Sequence, residues 1–378
     1  MCCRSRRHLG YLTLARGGFW RVREQPGAAD APVTWPRVAV VVPARNEALT
    51  IGVSVKSLLA QDYPGDVVVI LVDDQIADDT AEVARRAAEA GPAQHKLVVV
   101  HGQPLPFGWA GKVWALHQGI ENAVRFEPEY LLFADADLEF APRVLQSLVS
   151  DSCRHGFVLD SLMAKLRCES FAERALVPAF VFFFQMLYPF AWVNRRGSTT
   201  AAAAGGCMLV HRPTLEAAGN MQAIRDARID DCALARLLKP HGPIRLALTR
   251  CIVSLRAYDT IRDFGAMVSR SAYVQLRYSP LRLIATIGGL LLTFVAPPTL
   301  ALLATGYVQA AGALAWLMMA ILFQPMLRFY RRSPLWGAAL PVIGLVYAAF
   351  TLESALRHAQ GRGGLWKGRV QTRSAAPQ

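Results

Sequence analysis

Two aspartates spaced two apart, Asp135 and Asp137, follow the apolar run Leu131-Leu132-Phe133. In extended chain, positions i and i+2 face the same way, so these carboxylates can share one hard cation. A magnesium or manganese ion there would neutralise a diphosphate and stabilise it as it leaves, which is Lewis-acid chemistry without proton transfer. The plainer alternative is a pair of capping or turn aspartates; the position at the end of an apolar run favours the metal site. Asp73-Asp74 follows Leu71-Val72, where a carboxylate can accept hydrogen bonds from a uracil imide or ribose hydroxyls, with a solvated turn as the alternative. Pro43-Ala44-Arg45-Asn46-Glu47 follows a third run, and its loop would line the same crevice. Glu47 has a second role open to it, capping the helix that comes next.

The elements that must position these groups read as a βαβ rhythm. Val38 to Val42 and Val67 to Val72 are short, largely β-branched runs ended by Pro43 and by Asp73, which predicts buried parallel strands. Helical spacing follows each, over Glu47 to Ala60 and over Asp79 to Ala90. Leu97 to Val100 and Tyr130 to Phe133 extend the sheet. Ligands of open α/β sheets bind beyond the carboxyl ends of the strands, and three strand ends here carry acids or Asn-Glu.

Behind this region the chain becomes apolar. The hydrophobic fraction is 53% of 378 residues, above that of an ordinary soluble protein. No charged residue occurs from Leu283 to Leu327, too long a stretch for one crossing, so two spans are expected near 283–304 and 308–327. A third apolar segment lies near 335–353. Arg328, Arg331 and Arg332 between them read as cytoplasmic, which places the domain before the first span in the cytoplasm. Three full crossings would put the basic tail outside, so the third segment is expected to be interfacial. Ala175 to Val193 is rich in phenylalanine but interrupted by Pro178 and Pro189, and reads as a kinked helix on the membrane or along an acceptor groove.

The formal net charge of +13 comes without zinc-finger spacing, RNA-binding aromatics or a long lysine run. Anionic lipid and phosphate-bearing substrates therefore explain it better than nucleic acid. Seven scattered cysteines with no CxxC pair read as reduced thiols in a cytosolic setting. Leu9 to Leu14, after Arg4, Arg6 and Arg7, is too short for a signal-peptide core or a span, and Cys2 and Cys3 read as a bland pair rather than acylation sites. The histidines show no ligand spacing, so none is assigned to a metal.

Taken together, these elements resemble the family 2 glycosyltransferases of the GT-A fold. The likeness continues through Gly108-Trp109-Ala110-Gly111-Lys112, Gly205-Gly206-Cys207-Met208 and Ile229-Asp230-Asp231-Cys232. Arg167-Cys168-Glu169-Ser170-Phe171, the segment from Val177 to Phe184, and Trp366-Lys367-Gly368-Arg369 are similar in wording to the bacterial hopene-associated glycosyltransferases, relatives of ceramide glucosyltransferases. The resemblance implies Asp231 as catalytic base with Asp230 beside it. It also implies donor contacts from Pro43, Ala44, Arg45, Glu47, Asp73, Asp74, Lys112, Asp135, Gln275 and Arg277, an acceptor side at Gly205, Gly206 and Cys207, and Mg2+ or Mn2+ on Asp135 and Asp137. The base assignment has its own logic, since an acceptor hydroxyl is a poor nucleophile until a carboxylate takes its proton. Helix capping is the alternative for Asp230-Asp231, and both roles are compatible. Lys112 could equally be a surface lysine, and Arg277 a juxtamembrane contact to headgroups.

Two departures from the family pattern stand out. Gln275 and Arg277 sit one residue short of the Gln/Arg-x-x-Arg-Trp spacing, with Tyr278 in place of tryptophan. Gln75-Ile76-Ala77-Asp78-Asp79-Thr80 replaces Asp-x-Ser-x-Asp-Gly-Thr, with Asp79 in the place of a glycine that could take positive φ freely. The expected organisation is a basic segment over 1–34 read as the remnant of a membrane helix, an α/β GT-A domain with a mostly parallel sheet over 35–280, membrane helices over 281–356 and a basic tail over 357–378. The expected activity is inverting transfer from a nucleotide-diphosphate sugar, a UDP-sugar first, to a lipid or hopanoid-related acceptor at the bacterial inner membrane. A polysaccharide synthase and a non-catalytic membrane scaffold are the rivals.

Overall fold

A computed structural model describes residues 16–22, 24, 34–74, 78–91, 96–360, 365–366 and 369–370. The arginines and cysteines of the first eight positions, the Gln75-Ile76-Ala77 departure and most of the basic tail lie outside the described residues. The chain falls into two compact units, one built mainly of residues 34–166 and 192–256, the other of 167–191 and 257–360.

The first unit is an eight-stranded mixed sheet. Its strands are β1 (Val38–Ala44), β2 (Val67–Asp73), β3 (Leu97–His101), β4 (Tyr130–Ala134), β5 (Leu138–Phe140), β6 (Leu159–Lys165), β7 (Cys207–His211) and β8 (Ile244–Ser254), in the order β3-β2-β1-β4-β7-β6-β8-β5. The strands β3, β2, β1 and β4 run parallel, β7 is antiparallel to both β4 and β6, β6 and β8 are parallel, and β5 closes antiparallel on β8. Every residue of β1 is buried, as expected of a strand covered on both faces, and its unbroken Val-Ala-Val-Val-Val run follows from that cover. From β1 the chain first builds outward to β2 and β3, then crosses to β4 on the other side. This reversal opens the crevice between the carboxyl ends of β1 and β4 where ligands of such sheets bind.

Pro43 continues β1 instead of ending it. Pairing with β4 stops at Val41↔Phe133, whereas pairing with β2 runs on to Ala44↔Asp73. Beyond Val41 the strand therefore has one neighbour, and a proline without an N–H is tolerated on such an edge. The helix Gly111–Ala123 lies against β1 and β2 so closely that a Cβ at Gly119 would meet Val41 Cγ1 at 2.2 Å and Val72 Cγ2 at 3.1 Å.

The second unit is helical. Among the described residues three helices, Pro280–Leu303, Gly306–Phe329 and Leu340–Ala359, are long and apolar enough to cross a membrane. Leu302, Leu303, Leu314, Leu317 and Ile321 stand exposed on the first two, an arrangement suited to lipid rather than water. A π-helical stretch, Leu291–Val295, interrupts the first of them. Pro297 and Pro298 lack the N–H groups that would bond the carbonyls of Thr293 and Phe294, and the wider turn accommodates that gap.

Phe171–Leu187 is one helix with Pro178 inside it, started by a reciprocal cap between Ser170 and Glu173. Its phenylalanine face is filled by the helical unit itself. Phe182 packs on Phe19 and Phe323, Phe183 on Phe294 and Tyr347, and the Tyr347 hydroxyl donates to Leu176 O at 2.8 Å. Within the segment expected to lie on the membrane or along an acceptor groove, Phe182 and Phe183 thus belong to the packed core of the helical unit, because long aromatics bury most area against one another.

Gly119→Ala forces a methyl into side chains of two central strands and is expected to destabilise the sheet unit by about 1–3 kcal/mol. Gly197→Ala adds a Cβ with nothing within 4 Å and serves as control. Thermal unfolding of the detergent-solubilised variants would show a lower transition for the first and an unchanged one for the second.

Candidate active site

The carboxyl end of β4 brings Asp135 to the ammonium of Lys112, 2.7 Å away. Lys112 stands in the first turn of the helix Gly111–Ala123, and the same ammonium lies 3.5 Å from Asp230 Oδ2 and donates to Gly205 O at 3.3 Å. Asp230 and Asp231 open the helix Asp230–Leu238, where acids meet the positive end of the helix dipole. Asp231 accepts from Gly205 N at 3.0 Å and from Cys232 N at 2.6 Å. Asp135 N in turn donates to Gly206 O at 3.0 Å. A Cβ on Gly205 would stand 3.3 Å from both Asp231 Oδ2 and Lys112 Nζ, a tight contact that would press on both groups.

The electrostatics follow from shared burial. Burial and then the neighbouring Asp230 push Asp231 up to about 6, against the opposing pull of Lys112 and two backbone N–H groups. Asp135 is also raised, by burial first and by Asp137, with Lys112 acting the other way. Burial alone would lower Lys112, but Asp135, Asp230 and Asp231 outweigh it and hold the ammonium above its ordinary value. The lysine stays charged, and it is the cation of the carboxylate cluster.

Asp137 is held from another direction. Its Oδ2 accepts from Arg256 Nε at 2.6 Å, and Arg256 Nη2 bonds Glu47 Oε1 at 2.7 Å. Glu47 also accepts from the Thr50 hydroxyl, and its carbonyl accepts from Thr50 N and Ile51 N at the start of the next helix. It thus takes part both in the helix start and in the carboxylate site. Arg256 was invisible to sequence reasoning, since nothing in Ser254-Leu255-Arg256 distinguishes it from any other arginine after a strand.

Around the first crevice wall, Ala44 O accepts from Asp74 N at 3.0 Å, joining the ends of β1 and β2 beside Pro43. Asp74 is fully buried and paired with Arg45, whose Nη1 also donates to the Asp74 carbonyl at 2.7 Å. Asp73 keeps a buried Oδ1 without a hydrogen-bond partner, and burial raises its pKa against the pull of His101, 3.7 Å away. Of this pair, Asp73 has the acceptor capacity to offer a ligand. Asp79 has φ −82°, so the residue in the expected glycine position carries no left-handed strain. The Thr80 hydroxyl donates to Asp78 Oδ1 and accepts from Glu47 N, which fastens this turn to the loop after β1.

Cys207 is fully buried on β7, and burial first, then the neighbouring Asp160 and Asp135, raise its thiol, while the Gly205 and Gly206 backbone bonds Asp231, Lys112 and Asp135 directly. Gln275 and Arg277 belong to the helical unit. There Gln275 Nε2 donates to the Tyr188 hydroxyl. Arg277 and Tyr278 both adopt left-handed backbone, with the Tyr278 ring stacked on His358 at 4.3 Å.

Among the described residues no group of three or more His, Cys, Asp or Glu forms a cation cage. Asp137 is nonetheless one of the charges that raise Asp135, and two such carboxylates are the donor set of a hard cation that takes one or two carboxylates and fills its other positions with phosphate oxygens and water.

Residues 39–219 match the model of glycosyl transferase family 2. A mannosyltransferase of Pyrobaculum calidifontis, solved with GDP-Man and Mn2+, superposes with a TM-score of 0.57 over 96% of this chain and 98% of its own, at 20% identity. That likeness shows the GT-A fold. An uncharacterized protein of Methanocaldococcus jannaschii is 30% identical over 120 residues, 32% of this chain and 43% of its own. A 4,4'-diaponeurosporenoate glycosyltransferase of Staphylococcus aureus is 33% identical over 103 residues, 27% of this chain and 24% of its own. The chain thus spans less than half the length of these curated relatives.

Because folded Asp231 binds its proton more tightly than the ordinary aspartate value of 3.8, its contribution to stability is lost as pH rises from there through about 6. Lys112 offsets the resulting repulsion. Lys112→Met is expected to cost roughly 3 kcal/mol at pH 8, where the acids are ionised, and clearly less at pH 5. Melting temperatures of mutant and wild type at the two pH values would show that divergence.

Proposed function

We propose, for a chain whose residues 39–219 match the glycosyl transferase family 2 model, that it moves a sugar from a nucleotide-diphosphate sugar to an acceptor hydroxyl with inversion at the anomeric carbon. The observation that carries this reading is the meeting of Asp135, Lys112, Gly205 and the Asp230-Asp231 pair beside the carboxyl end of β4. A carboxylate pair that could serve as base and an ammonium that could meet a phosphate stand together there, which supports the reading.

Asp231 takes the acceptor's proton as the hydroxyl oxygen attacks the anomeric carbon, and the bond to the diphosphate breaks on the opposite face. A base at about 6 is well matched to this task near neutral pH, since it is ionised yet still basic. Gly205 N and Cys232 N fix its two oxygens, so the carboxylate is oriented before the acceptor arrives. Asp230 keeps Asp231 basic by like charge. Lys112, charged and already desolvated, can exchange a carboxylate for a phosphate oxygen as negative charge collects on the leaving group. Asp135 and Asp137 would hold Mg2+ or Mn2+, which supplies Lewis-acid stabilisation of that leaving group.

The buried acceptor atom of Asp73 supports recognition of a base or ribose, with a UDP-sugar as the donor to try first. The three long apolar helices support a membrane-bound enzyme, with the transferase domain read as 35–280, the membrane part as 281–356, and the domain on the cytoplasmic side of a bacterial inner membrane. A relative named for 4,4'-diaponeurosporenoate supports a lipid-like acceptor, and a hopanoid-related one is the first candidate.

Purified full-length protein in lipid nanodiscs, given UDP- and GDP-sugars with Mn2+ or Mg2+, is expected to hydrolyse or transfer one donor. Asp137→Ala and Asp231→Ala each lower the rate by about 100-fold or more. Binding of nucleotide without turnover in wild type would reject the transferase. In the pH profile, kcat rises with pH and reaches half its plateau near 6, because protonated Asp231 cannot act as base. A flat profile between pH 5 and 8 would remove Asp231 from that role.

A further inference from the structure

Arg256 bonds the carboxylate of Asp137 and the carboxylate of Glu47 with different nitrogens of one guanidinium, at 2.6 and 2.7 Å. The bridge joins three separate stretches of the sheet unit, the loop after β1, the residues after β4 and the end of β8. Backbone pairing sets it in place, because Leu255 N donates to Asp137 O at 2.8 Å and brings the next residue alongside the aspartate. Asp137 is largely enclosed, with 13% of its side chain exposed, whereas Arg256 keeps 35%. The acid is the more enclosed partner and the arginine the more solvent-accessible one.

An Asp137 carboxylate that donates its charge to a guanidinium has less to give a divalent cation, and a guanidinium beside that cation repels it. A diphosphate changes the balance, since the planar fork of a guanidinium can bond two phosphate oxygens at once. We propose that Arg256 is a positioning residue that clasps Asp137 and makes cation binding at Asp135 and Asp137 depend on the donor's diphosphate, which draws the guanidinium away. Glu47 keeps Arg256 tethered on its other side, so the arginine can shift between acceptors without leaving the site. This rests on the metal-assisted reading of Asp135 and Asp137 given above. It predicts that donor and cation enter together, and that the empty site is protected from adventitious metal.

The test is binding of Mn2+ alone, followed by loss of the free-ion electron paramagnetic resonance signal, to the full-length chain in nanodiscs with and without UDP or GDP. Wild type is expected to bind Mn2+ weakly alone and more tightly with nucleotide. Arg256→Gln is expected to bind Mn2+ without nucleotide at least about tenfold more tightly than wild type, the size of one lost charge-assisted contact. Arg256→Lys, which keeps the charge but cannot bridge both carboxylates, falls between them and covers the case in which the glutamine variant does not fold. Arg256→Gln with Asp137→Ala loses the gain. Unchanged or weaker Mn2+ binding in both arginine variants, with nucleotide-dependent binding intact in wild type, overturns the clasp and leaves the metal site standing. Absence of Mn2+ binding in every variant, with or without nucleotide, overturns the metal-assisted reading and the clasp with it.

Discussion

One ammonium group serves carboxylates from two distant parts of the chain, and the site is arranged around it. Lys112 reaches Asp135 after β4 and Asp230 at the head of a later helix, and it also touches the Gly205 carbonyl. Without a shared cation, three aspartates brought this close under protein cover would repel one another or take up protons. With it, Asp231 can be both ionised near neutral pH and unusually basic, which is the combination that deprotonation of a hydroxyl demands. The helix Gly111–Ala123 delivers Lys112 because Gly119 lets that helix lie against Val41 and Val72. A packing constraint inside the sheet unit thereby fixes an electrostatic one at its edge.

A second cation, Arg256, performs the corresponding service for Asp137 and Glu47. The two arrangements differ in kind. Lys112 is held among buried acids whose pKa values burial raises and the ammonium pulls back down, whereas Arg256 retains solvent access and a geometry suited to phosphate. Other ion pairs of the sheet unit join arginines to buried acids. Arg245 bonds both Asp151 and Asp160, and Arg45 pairs with the buried Asp74. Of the acids at the strand ends, those with spare acceptor capacity are the ones available to a ligand.

The helical unit obeys a different solvent. Its aromatic residues from Phe182 to Tyr347 pack on one another, while leucines on the apolar helices face outward. A sequence rule that treats every phenylalanine-rich stretch as a surface for lipid cannot separate these cases, because apolar side chains suit both lipid and protein interior. The choice at Phe182 was made by partners far along the chain, Phe19 and Phe323.

Local pattern by itself determined the βαβ rhythm, the acids at the ends of β2 and β4, the Asp230-Asp231 pair and the apolar character of the last third, because periodicity and strand-end position are properties of neighbouring residues. Its boundaries missed by a few residues where pairing, not propensity, set the end, as at Pro43, whose place in β1 depends on which neighbour strand continues beyond Val41. Only the tertiary structure decided that Lys112 meets Asp135 and Asp230, that Glu47 and Asp137 share Arg256, that Asp74 is committed to Arg45 while Asp73 is not, and that the Cys207 thiol is buried out of reach. Each of those depends on contacts between residues tens to hundreds of positions apart. Charge pairing at such separations leaves no local signature, since any arginine or lysine in sequence is the same until the sheet order brings a carboxylate to it.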